Sequence, residues 1–120
     1  MKTVRLAAAM LTGLAFAASA LAHAFLDHAS PAVGSTVRGP PNGVSLWFTQ
    51  ELEPAFSTVG VLDASGKPVD KGDKQVDSGD RTLLRVSLPP LAPGTYRVRW
   101  RVLSVDTHVT EGDFSFEVSP

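Results

Sequence analysis

Tyr96, Val98, Trp100 and Val102 alternate residue by residue with Arg97, Arg99 and Arg101. No stretch from His23 onward keeps an apolar period of 3.6 residues over ten positions. A segment with one apolar and one cationic face at period two is a strand whose sheet is solvated on one side, not a helix. The same alternation recurs at Val44, Leu46 and Phe48, at Leu84, Val86 and Leu88, and at Phe114, Phe116 and Val118, with a further strand over 58–62 that turns Val59 and Val61 to one face. Turn chemistry separates these runs: DASG at 63–66, PPLAPG at 89–94, and Pro31, Gly34, Gly39, Pro40 and Pro41 ahead of Val44. Residues 67–81 are polar and mixed in charge. They read as a surface excursion with one short strand, where Val69 and Val76 touch the core. About six or seven strands in so short a chain predict an all-β fold, a small Greek-key β-sandwich or barrel.

The chain begins differently. Met1 to Arg5 carries two cations, Leu6 to Leu21 is almost wholly apolar, and Ala20-Leu21-Ala22 is a small-x-small triplet. This is the pattern of a secretory signal peptide, expected to be cleaved after Ala22. The apolar run is short for a membrane span, which needs about 20 residues. The expected organisation is therefore 1–22 as signal and 23–120 as one exported domain, with no stable membrane insertion after cleavage. Beyond Ala22 there are nine basic residues (eleven less Lys2 and Arg5) against twelve acidic ones, a net of −3. That balance gives no footprint for nucleic acid. Cysteine is absent, and both methionines, Met1 and Met10, precede the expected cleavage point. A disulfide scaffold, thiolate metal centres and thiol catalysis are thereby excluded.

Chemistry then rests on three histidines: His23, His28 and His108. Cleavage after Ala22 makes His23 the first residue, so its α-amine, with a pKa of about 8 when free, lies beside its own imidazole and both can hold one metal ion. Asp106 and His108 are two residues apart, and an extended backbone points them to the same side. Amine, two imidazoles and a carboxylate make an N3O set suited to tetragonal Cu(II). From spacing alone, Asp-x-His could equally be a carboxylate orienting a histidine, or two residues of a solvated loop. Ser104, Asp106 and His108 also spell a hydrolytic triad, but they crowd into five residues and no oxyanion hole is visible.

Residues 23–34 (HAFLDHASPAVG), 44–48 (VSLWF), 56–57 (FS), 59–66 (VGVLDASG), 91–108 (LAPGTYRVRWRVLSVDTH) and 112–116 (GDFSF) resemble, in register, the copper-resistance protein C (CopC-like) family of bacterial periplasms. The resemblance implies an immunoglobulin- or cupredoxin-like β fold. It also implies one Cu(II) per chain, bound by the N-terminal histidine and by the Asp and His of a Ser-x-Asp-x-His motif, here His23, Asp106 and His108. His28, five residues after His23, is expected either near the copper, more as a neighbour or hydrogen-bond donor than as a fourth or axial ligand, or merely exposed at the surface. Thr107 occupies a position where many members have glycine, so the loop is expected to take a different backbone angle. Some members add a methionine-rich Cu(I) site, which a mature chain without methionine cannot form.

The implied function is a monomeric periplasmic carrier or buffer in copper resistance and homeostasis, serving an inner-membrane transporter of CopD type. The alternatives are a copper enzyme using an N-terminal histidine brace, which a carboxylate ligand disfavours, and a structural envelope β-sandwich whose histidines are incidental. Trp47, out of phase with Leu46 and Phe48, is expected at the surface or under a loop. Arg99 and Arg101 are expected to be solvated or paired with Glu111 and Asp113.

Overall fold

The computed structural model describes residues 24–120. The expected signal segment and His23 lie outside the described residues. Eight strands are formed: β1 (Leu26–Ser30), β2 (Thr36–Arg38), β3 (Gly43–Phe48), β4 (Thr58–Leu62), β5 (Gln75–Val76), β6 (Leu83–Ser87), β7 (Gly94–Leu103) and β8 (Val109–Ser119). They build two four-stranded sheets, ordered β1-β3-β6-β5 and β2-β8-β7-β4. All neighbours are antiparallel except β2 and β8. The sheets face each other as a sandwich. Of the two architectures expected from the sequence, the closed barrel is not formed.

The alternating positions supply the core. Val44, Leu46 and Phe48 of β3 and Leu84 and Val86 of β6 meet Val59, Val61, Val98, Val102, Phe114, Phe116 and Val118 from the opposing sheet. Val69 and Val76 pack against this core from the polar excursion, as expected. Tyr96 stacks on Phe116 with centroids 5.7 Å apart, and its hydroxyl donates to the Ala92 carbonyl at 2.6 Å. That bond pins the proline-rich connection to the strand it precedes.

Trp100 departs from its expected place in the core. It is only partly buried, edge-on to Phe48 at 5.1 Å, and its indole Nε1 is buried without a hydrogen-bond partner among the described residues. Gly112 pairs opposite Trp100 in the β7–β8 ladder. A Cβ built there would stand 2.6 Å from Trp100 Cζ2, so the indole lies where a side chain on β8 would otherwise be. On the outer face Arg97 pairs with Asp113 at 2.7 Å, and Arg101 lies 3.7 Å from Glu111. The expected acids are therefore used, with Arg97 rather than Arg99 taking Asp113.

Three surface carboxylates staple the loops. Asp63 Oδ1 accepts from Ser65 Oγ, Ser65 N and Lys67 N, closing the turn before Gly66, whose φ of 85° needs no Cβ. Asp73 accepts from the Ser87 amide, and Asp77 accepts from the Arg85 guanidinium at 2.8 Å. These donors hold all three carboxyls below the ordinary value of 3.8.

Two outcomes follow from these contacts. Gly112→Ala must displace the Trp100 ring or the β8 backbone and should cost about 1–3 kcal/mol, read as a lower urea midpoint at unchanged slope. A carboxylate whose pKa is depressed by folding stabilises above its unfolded value and loses that contribution as pH falls through the folded one. The urea midpoint should therefore fall as pH drops below about 4, and Asp77→Asn should flatten that fall. An unchanged slope with pH in the variant would contradict the assignment.

Candidate metal centre

The ten-residue β7–β8 ladder closes at Leu103 opposite Val109. The link between them is a tight turn rather than the extended piece expected. The Thr107 amide donates to the Ser104 carbonyl at 2.9 Å, and the Ser104 amide donates to the His108 carbonyl at 3.0 Å. This is a three-residue hairpin loop, a turn whose last residue must be left-handed. Thr107 takes that conformation, with φ of 72°, an angle that glycine bears freely. For a residue with a Cβ that costs about 1–2 kcal/mol, which the surrounding bonds must offset.

Ser104 is the hub of those bonds. It is fully buried, its hydroxyl donates to Asp106 Oδ1, and it also receives the His108 amide at 3.3 Å. A hydroxyl so enclosed is a positioning group and not a nucleophile, which removes the hydrolytic reading of the triplet. Around it the turn brings Asp106 Oδ1 within 3.9 Å of His108 Nδ1, with 44% and 46% of the two side chains open to solvent. An imidazole nitrogen and a carboxylate oxygen thus converge on one half-open spot that an ion can reach.

Among the described residues no three His, Asp or Glu side chains gather around one point, so a tetragonal ion there needs donors from elsewhere. The chain next to His23 runs close by. Ala24 is fully buried, and its carbonyl accepts from Thr110 Oγ1 at 2.6 Å, two residues beyond His108. Phe25 and Thr49 are bonded twice, Phe25 N to Thr49 Oγ1 at 2.9 Å and Thr49 N to Phe25 O at 2.8 Å. The segment is therefore fixed from Ala24 onward against the start of β8.

His28 is placed apart from that pair. An irregularity in β1 between Leu26 and His28 sets Leu26 opposite Phe48 and His28 opposite Trp47. The extra residue shifts the strand's phase, so Leu26 and Ala29 pack on the core while His28 goes outward. There its ring stacks on Trp47 at 4.5 Å and 8°, and its Nδ1 lies 2.7 Å from Asp27 Oδ2. Trp47 is at the surface, as its phase implies, but under His28.

A family model described as the CopC domain matches residues 26–119. Protein YobA of Escherichia coli strain K12 is 34% identical over 118 residues, covering 98% of this chain and 95% of that protein. Copper resistance protein C of Xanthomonas campestris pv. juglandis is 38% identical over 107 residues, covering 84% of each. The crystal structure of CopC from Methylosinus trichosporium OB3b superposes with a TM-score of 0.77 at 40% identity, covering 82% of this chain and 95% of that one.

Ser104→Ala removes the donor to Asp106 and the acceptor for the His108 amide, both at a buried point. A loss of about 1–3 kcal/mol in urea unfolding is expected, with faster exchange of the His108 amide. Retention of full stability and exchange protection would show that the turn does not depend on this hydroxyl.

Proposed function

The chain belongs to the CopC domain family, and on that premise we propose that it binds one Cu(II) in the bacterial periplasm. It acts there as a carrier or buffer in copper homeostasis, exchanging the ion with an inner-membrane copper transport protein. The observation that carries this reading is the hairpin tip, where the buried Ser104 hydroxyl fixes Asp106 and His108 on one half-open spot.

His23 completes the set in this proposal. With residues 1–22 removed on export, its α-amine and imidazole would form one chelate ring beside Ala24, whose carbonyl is tied to Thr110, two residues beyond His108. Three nitrogens and one oxygen then match Cu(II), a borderline ion at the top of the stability order for such donors. With no sulfur beyond Met10, the domain offers Cu(I) no thiolate or thioether, so reduction would weaken binding. Acid would release copper too, because protons compete for the amine and both imidazoles. His28, held by Trp47 and Asp27, is assigned no direct bond to the ion.

The test uses protein exported and processed by its host. Intact mass should begin at His23, titration should give one Cu(II) per chain, and electron paramagnetic resonance should show tetragonal nitrogen-rich coordination. One extra residue ahead of His23 converts the amine to an amide and should weaken binding roughly a hundredfold or more. Binding indifferent to that residue would restrict the site to Asp106 and His108, and absence of specific Cu(II) binding would end the copper reading.

A further inference from the structure

Five large apolar side chains are open to solvent among the described residues: Phe25, Val33, Phe56, Val105 and Val109. Single exposed apolar residues are ordinary, but their concentration at one place is not. Val33 lies between β1 and β2. The other four belong to segments that converge on the hairpin tip. Val105 and Val109 flank Asp106 and His108 directly. Phe25 follows Ala24, which is tied to Thr110. Phe56, 67% exposed, ends a 3-10 turn (Pro54–Phe56) in a segment that runs beside the tip. The Val105 amide donates there to the Glu51 carbonyl, Glu53 N to Leu103 O, and Leu103 N to Ser57 Oγ.

Carboxylates are interleaved with this apolar collar. Glu51 and Glu53 make no ion pair among the described residues, and Asp106 stands between the two valines. The cations that reach this segment are engaged with its backbone, Lys74 with the Pro54 carbonyl at 2.6 Å and Arg81 with that of Leu52 at 3.4 Å. A second copy of the chain docked tip to tip would oppose Glu51, Glu53 and Asp106 to their own images, a like-charge arrangement that association avoids.

We infer that the collar of Phe25, Phe56, Val105 and Val109 is a docking surface for a copper-handling protein whose contact face is apolar and bordered by Lys or Arg. The copper part of this inference rests on the function proposed above. Seating such a face over the tip excludes water around the ion, so the metal passes between ligand sets without entering solvent. Glu51 and Glu53 steer and orient the encounter, and the apolar contacts hold it.

The test places a photoreactive phenylalanine analogue at Phe56, or at Val33 as a control, in the full chain exported by its own host. Expected is a cross-linked adduct from position 56 alone, with a second protein whose linked peptide carries Lys or Arg beside apolar residues. The Glu51→Lys/Glu53→Lys double variant should reduce its yield about fivefold or more. Equal adducts at 33, an adduct of twice the chain's mass, indifference to the charge reversal, or no adduct would each overturn the docking surface. Cu(II) titration of the same proteins keeps the two readings separate. A charge-dependent adduct without copper binding would uphold the surface and remove the copper, while copper binding without an adduct would do the reverse.

Discussion

The β7–β8 ladder is the constraint from which most of this molecule follows. Ten consecutive antiparallel pairs, from Gly94 opposite Val118 to Leu103 opposite Val109, fix which side chains of both strands face inward. A slip of one residue would turn one strand's set out into water, either Tyr96, Val98 and Val102 with burial of the arginines or Phe114, Phe116 and Val118. Register is therefore held by the whole inner face at once. Because the ladder runs to its last pair without a break and Ser104 bonds to His108 just beyond it, only residues 105–107 are left to reverse the chain. The convergence of Asp106 and His108 is a by-product of that shortness: a tight reversal forces them together, and the buried Ser104 hydroxyl fills the space inside the turn.

Much of this was readable from residue order. Alternation located the inner faces of β3, β4, β6, β7 and β8, because a one-sided sheet imposes period two on its sequence. The Asp63 turn and the two valines that anchor the polar excursion were readable for similarly local reasons. What escaped was of two kinds. A bulge adds a residue without leaving a mark in composition, so nothing in residues 26–30 announces that His28 faces outward onto Trp47. The turn at 104–108 escaped because its left-handed residue is a threonine, a type that argues for extended backbone. Trp100 obeys the alternation yet reaches only the margin of the core, because its bulk needs the vacancy at Gly112. Burial there depends on a partner strand that pattern alone does not specify.

Of the expected ligand set, Asp106 and His108 are brought together by the described chain, while His23 lies outside it. The bonds from Ala24 to Thr110 and between Phe25 and Thr49 nevertheless matter to any site that recruits the N-terminus. A terminal ligand on a loose tail would have to be ordered anew at each binding event, at roughly 1–2 kcal/mol per residue fixed. Here every residue from Ala24 onward already has its place in the fold.

A carrier faces opposing demands, since a cage that encloses its ion holds it well and yields it slowly. Placing the donors at a hairpin tip meets both. The backbone bonds under Ser104 give rigidity, and the side chains of Asp106 and His108, nearly half open to solvent, stay within reach of an incoming ligand. The left-handed Thr107 belongs to the same compromise, because a strained turn persists only while its surroundings over-determine it, and those surroundings keep the two donors from relaxing apart. Open donors alone would lose the ion to any competing solute. If the exposed Phe25, Phe56, Val105 and Val109 serve as the docking surface inferred above, exchange would be restricted to partners that cover them.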